Sequence, residues 1–175
     1  LSTRAAEKLF LKSKLTKNDV DLLIHASVCR DFLEPATASV VHANLGLNKK
    51  AMIFDLSNAC LGVINAFVVA ASMIEQGMIS TALIVSGENG GPLLESTINE
   101  LLNNESIDRK NIKKYIANLT IGSAATAFLL THQKLSPHSP RLLGGAFETD
   151  SSANPLCRGD GNTHSLVMET DSEEL

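Results

Sequence analysis

Tryptophan is absent from this chain and tyrosine occurs once, so the aromatic platforms on which single-stranded nucleic acid stacks are not expected. Runs of Lys and Arg are missing too, and the formal net charge is −4. A phosphate-binding surface needs concentrated positive charge, so nucleic acid is excluded as a partner class. No segment reaches the roughly 20 uncharged apolar residues that a membrane span requires. The nearest, Cys60 to Ile74, is shorter and reads as a buried helix, so no membrane span is expected. The three cysteines, at positions 29, 60 and 157, form no C-x-x-C pair and no even-numbered framework. That pattern fits free thiols in a reducing compartment, with the cytoplasm as the expected location. The opening LSTRAAEKLF shows no initiator Met, basic segment or cleavage site, so no secretory signal is read there. No Pro/Gly/Ser linker divides the chain, and 175 residues with 44% apolar content suffice for one core.

What the chain does contain is an alternation of apolar segments. Leu1, Ala5, Ala6, Leu9 and Phe10 share one face of a helix predicted to end near Lys14. VDLLIHASVC (20–29) reads as a strand buried on both faces of a parallel sheet. Thr37 is a plausible N-cap for the helix ASVVHANLG, which Gly46 closes. Strand AMIFDL (51–56), a helix from Cys60 to about Gln76 and strand STALIVSGE (80–88) repeat the pattern. These are βαβ units, an α/β architecture of mainly parallel, mixed sheet with helices on both faces. Residues 92–118 predict two short helices around 103–107 with a solvated charged face. SAATAFLLTHQ and RLLGGAFETD, joined by the Pro-containing LSPHSP, predict an antiparallel hairpin at one edge. Beyond Asp150 the chain turns polar and irregular, and METDSEEL reads as a helix just beginning.

Two residues stand out chemically. Cys60 lies where the strand 52–56 passes through Ser57-Asn58-Ala59 into an apolar helix expected to be buried centrally. A helix start offers unpaired N–H groups and the positive end of the dipole, which favour the nucleophilic thiolate. A small buried gap-filler is the plain alternative. Glu34 lies in the loop after the first strand, where a carboxylate is ordinarily solvated. In a parallel sheet, however, the loops after the strands gather at one edge, so Glu34 and Cys60 could converge. His25 and Cys29, four apart on a strand, lack a third ligand, and a satisfied core histidine explains His25 better than a metal does. GENGG (87–91) lacks phosphate-loop spacing and reads as a tight turn. No imidazole stands beside Cys60 in sequence, although a cysteine nucleophile needs a base and an oxyanion hole. Either Cys60 is structural or its partners lie on a segment outside this chain.

DLSNACLGVINA resembles the active-site segment of the thiolase superfamily, in its 3-oxoacyl-acyl carrier protein synthase III branch. LTKNDVDLLIHAS, LEPATASVVHANLGL and IGSAATAFLL resemble its flanking segments in the same order. SVCRDFLEPATAS and SNACLG are most similar to the acyl-CoA condensing thiolases of long-chain olefin biosynthesis. The resemblance implies half of a layered thiolase-like fold. Residues 1–150 would form a nucleophile-bearing N-terminal half lacking its first strand, and 151–175 a polar connection to a second half that lies outside this chain. It implies Cys60 as the acyl-accepting nucleophile and Glu34 as a base that reaches across a homodimer interface to take the α-proton of a second acyl-CoA. It implies no cofactor and no metal, only thioesters of CoA or acyl carrier protein as substrates. The His and Asn that complete the oxyanion hole would lie on the second half, so this piece alone is expected to be inactive. Two alternatives remain open: a decarboxylating synthase III, and a non-catalytic lipid-binding or assembly domain with a structural cysteine.

Overall fold

The computed structural model describes residues 1–30, 32–162 and 165–171, with the backbone alone at 161, 162 and 165–167. The chain falls into two compact units, Leu1–Glu88 with Ala124–Leu143, and Asn89–Ser123 with Gly144–Leu175. The first is built on a four-stranded sheet of β1 (Leu22–His25), β2 (Met52–Asp55), β3 (Thr81–Glu88) and β4 (Ala124–Thr131), in the order β2-β1-β3-β4. β1 runs parallel to both neighbours, with Leu22 opposite Met52 on one side and Ala82 on the other. β4 is antiparallel to β3, from Thr81 opposite Thr131 to Glu88 opposite Ala124.

Strand alternation sorts the apolar residues onto two faces. Leu23, Leu83 and Val85 pack with Ala6, Ala38, Val41 and Leu45, which come from helices α1 (Ser2–Phe10) and α2 (Thr37–Leu45). Leu22, Ile24, Ala82 and Ile84 pack against Ala66 and Ala70 of α3 (Gly62–Glu75). Helices therefore cover both faces of a mainly parallel mixed sheet, as the βαβ pattern requires. Gly87 is needed where α1 meets β3, because a Cβ there would lie 2.5 Å from Ser2 Oγ.

Several sequence expectations need correction. α1 stops at Phe10, and the next residues tighten into i to i−3 bonds, Lys12 N–H to Leu9 O and Ser13 N–H to Phe10 O. The strand expected over 20–29 is regular only from Leu22 to His25. Ala26 still donates to Val85 O (2.8 Å), but at Ser27 the side-chain hydroxyl accepts the Gly87 N–H (2.8 Å) in place of a backbone carbonyl. α3 is not buried on all sides: Gly62, Ala66, Ala70 and Ile74, at four-residue spacing, are its buried residues, while Leu61 just before it and Ile64 and Val68 within it are exposed. An apolar helix announces burial without saying which elements supply the cover.

RLLGGAFETD forms no strand; β4 pairs with β3 instead, and the Gly144-Gly145 pair, with Gly144 at φ +149°, interrupts any extended run there. In the second unit, α4 (Gly91–Asn103) and α5 (Ile116–Thr120) flank the break around 103–107 as anticipated, with a 3-10 turn (Asn111–Tyr115) leading into α5. The segment expected to be irregular holds an antiparallel hairpin, β5 (Cys157–Asn162) with β6 (Ser165–Thr170). Met168 to Thr170 therefore belong to a strand, not to a helix start, and residues 172–175 of that expectation lie outside the described residues. Buried Asn118 ties this unit together, donating to Thr97 Oγ1 (3.1 Å) and Met168 O (2.8 Å). Among the described residues no helix is long and apolar enough to cross a membrane, and no disulfide joins the cysteines.

Candidate active site

β2 delivers the chain to Cys60 through a short, locally fastened turn. Leu56 N–H donates to His25 O (2.9 Å), which keeps the strand in register to its last residue. Cys60 then sits in the middle of a 3-10 turn, Ala59–Leu61, closed by Leu61 N–H to Asn58 O (2.9 Å) and continued directly into α3. Ala59 adopts φ +43°, the left-handed region in which a Cβ costs about 1 kcal/mol. Strain held beside a candidate nucleophile is a recurrent mark of functional turns. The Asn58 amide donates to Asn65 Oδ1 (2.5 Å) and bridges the turn to α3. Cys60 itself is exposed, while Gly62 is buried, and a Cβ there would lie 3.6 Å from both Ala26 Cβ and Leu56 O. Cys60 is thus no gap-filler of the core, whereas the small residue at 62 is a matter of packing.

Glu34 lies beyond the carboxyl end of β1 and is exposed, between Leu33, 95% exposed, and Pro35. Its loop is fastened at both ends by carboxylates from neighbouring strands. At the start, Glu88 at the end of β3 accepts the N–H of Val28 (2.7 Å) and of Cys29 (3.0 Å). At the finish, Asp55 at the end of β2 accepts the N–H of Thr37 (2.8 Å) and of Ala38 (2.7 Å). Asp55 thereby caps α2, whose N-cap position is Ala36, a residue with no side-chain acceptor. Thr37, expected as the cap, is the first helical residue, and its buried hydroxyl has no partner among the described residues.

The structure places Cys60 and Glu34 in loops that follow adjacent parallel strands on the same sheet edge, and no hydrogen bond or ion pair joins them among the described residues. His25 is buried with its Nδ1 3.7 Å from Asp55, the satisfied core histidine that the sequence suggested. No group of three possible metal ligands occurs among the described residues. Sequence reasoning missed Glu88, Asp55 and Ala59. Asp55 opens the motif DLSNACLGVINA and Glu88 lies inside GENGG, yet neither position signals a distant backbone partner, and alanine does not advertise a left-handed conformation.

The chain has a thiolase-like fold, with the cysteine on a strained turn between a parallel strand and a long helix of a mixed sheet covered on both faces. The family model for 3-oxoacyl-[acyl-carrier-protein] synthase III matches residues 54–151, more than half of the chain, and the chain belongs to that family. It is 38% identical over 169 residues to an acyl-CoA:acyl-CoA alkyltransferase of Xanthomonas campestris pv. campestris, covering 97% of this chain and 49% of that protein. It is 34% identical to the acyl-CoA:acyl-CoA alkyltransferase of Shewanella oneidensis, covering 98% and 51%. It is 30% identical to a beta-ketoacyl-[acyl-carrier-protein] synthase III of Streptococcus pneumoniae, covering 93% and 50%. Crystal structures of Xanthomonas campestris OleA, one with bound lauric acid and lauroyl-CoA, superpose with a TM-score of 0.91 at 37% identity, covering 99% of this chain and 50% of that one. The chain spans about half the length of the curated relatives it matches.

Proposed function

We propose that this chain is the nucleophile-bearing half of an acyltransferase that joins two fatty acyl-CoA molecules head to head by Claisen condensation. The observation that carries the reading is the exposure of both groups, Cys60 on its turn and Glu34 on its loop, which leaves each open to a second copy of the chain. Cys60 attacks the first acyl-CoA carbonyl; a carbon–sulfur bond to Cys60 forms, and CoA leaves as its thiolate. The Cys60 backbone N–H would donate to the oxygen that gains charge. This exchange is nearly isoenergetic, so the protein's task there is positioning. Glu34, from a second copy in a homodimer, then takes the α-proton of the second acyl-CoA. The resulting carbanion attacks the acyl-Cys60 carbonyl, a carbon–carbon bond forms, and Cys60 leaves as thiolate to give a β-keto thioester. An α-carbon beside a thioester is weakly acidic, so a positioned base kept from bulk water is required.

Similarity to two alkyltransferases named for acyl-CoA on both sides of the reaction supports the reading. So does the set of solved OleA variants, which are substituted at a cysteine, at a glutamate with the same separation from it as Glu34 from Cys60, and at a histidine whose counterpart would fall beyond residue 175. Substrate dependence of the full-length gene product tests it. Condensation of acyl-CoA with no malonyl donor present is the expected result. Strict dependence on malonyl-acyl carrier protein would instead support a decarboxylating synthase III, in which loss of CO2 creates the carbanion without a base. The cytoplasm is the location that fits CoA thioesters as substrates.

A further inference from the structure

We propose that Glu88 is a positioning residue for the condensation step, holding the loop that carries Glu34 by the paired N–H bonds it accepts from Val28 and Cys29. The inference rests on the reading of Glu34 as the base and adds a residue to that site.

Ladder pairing ends at His25; beyond it Ala26 N–H donates to Val85 O, and Ser27 Oγ accepts the Gly87 N–H, both partners lying on β3. Glu88, the final residue of β3, continues this line with its side chain. Its two oxygens each take one N–H, at 2.7 and 3.0 Å, from residues that can no longer pair with strand backbone. Bonds to a charged carboxylate are roughly twice as strong as neutral ones, and a bidentate arrangement fixes direction as well as distance. Beyond Cys29, Phe32 and Leu33 are exposed, and Asp55 accepts the N–H groups of Thr37 and Ala38. Glu34 therefore lies on a span with a strand carboxylate at each foot. A displacement of about 1 Å at a reacting group can cost about 10²-fold in rate, so the fastening at the near foot bears directly on proton abstraction. Acyl transfer to Cys60 uses none of these contacts, because the turn of Cys60 is closed by Asn58, Ala59 and Asn65.

The test compares Glu88→Gln, Glu34→Gln and the double variant in the full-length gene product, measuring acyl loading of Cys60 by intact mass and condensation by product formation. Gln keeps the shape of Glu88 but can accept with one terminal atom only. Glu88→Gln is expected to load Cys60 within about twofold of the parent and to condense about 10- to 100-fold more slowly. The double variant is expected to condense no more slowly than Glu34→Gln alone, because Glu88 acts through Glu34; a merely structural role would give additive losses. If Glu88→Gln condenses at the parental rate while Glu34→Gln does not, or if it loses loading and condensation equally, the role of Glu88 is overturned and that of Glu34 stands. If Glu34→Gln itself condenses at the parental rate, the base assignment falls and the positioning role falls with it. Should Glu88→Gln fail to fold, faster amide hydrogen exchange at Val28 and Cys29 in Glu88→Asp, whose shorter arm cannot serve both groups, with exchange in α2 unchanged, supports the fastening. Unchanged exchange at both amides overturns it.

Discussion

Cys60 is carried by a turn whose bonds come from near neighbours in sequence, Asn58 to Asn65, whereas the loop of Glu34 is fastened by Glu88, 59 and 60 residues from the groups it holds, and by Asp55, 17 and 18 residues away. The first arrangement stores mild strain at Ala59 and leads straight into a helix of 14 residues. The second uses half-buried carboxylates as brackets for chain that has left the sheet. The proposed nucleophile is set on a turn closed by its own neighbours in sequence. The proposed base is set on a loop bracketed by carboxylates from two strands.

The contrast is open to test. Asp55→Ala removes the cap of α2 and the far bracket together, and it leaves His25 without its charged neighbour. It should lower unfolding free energy by about 1–2 kcal/mol, read from the urea midpoint, and slow condensation more than Cys60 loading. An equal effect on both steps would erase the distinction between the two loops. Ala59→Gly addresses the other side: the left-handed φ no longer meets a Cβ, so stability should rise by about 0.5–1 kcal/mol in the same assay. A loss of stability would show that the turn is not strained. Asp19 gives the smallest effect. Its carboxyl is held below the ordinary carboxylate range by the Thr16 backbone N–H and then the Thr16 hydroxyl. Because the folded value is depressed, this contribution is present above the ordinary carboxylate pKa and fades as pH falls through the depressed one. Asp19→Asn should therefore narrow its stability gap from the parent as the solution is acidified through that range, and a gap independent of pH would contradict the assignment.

The same contrast explains what could be read from sequence. The β1, β2 and β3 segments, α2 and α3 declare themselves by periodicity, and the turn at Cys60 is visible because strand, small residues and apolar helix are contiguous. Thr37 looked like a cap because Thr is the right residue type beside a helix, but Asp55 reaches the same N–H groups from another strand. RLLGGAFETD has strand-like composition, yet β4 found its partner in β3, some 40 residues earlier in the chain, and no local pattern specifies that pairing. The hairpin of β5 and β6 is polar at Arg158, Asp160 and Asn162, so it carries no apolar alternation to reveal it. Contacts across longer separations decided the first two cases, and polar composition hid the third.

The division of labour between the two residues is tested most directly by the intact mass of full-length Glu34→Gln protein after incubation with a fatty acyl-CoA. The account predicts that a single acyl group accumulates on Cys60 and that no condensed product forms. An unmodified Cys60, or product formed at the parental rate, would contradict it.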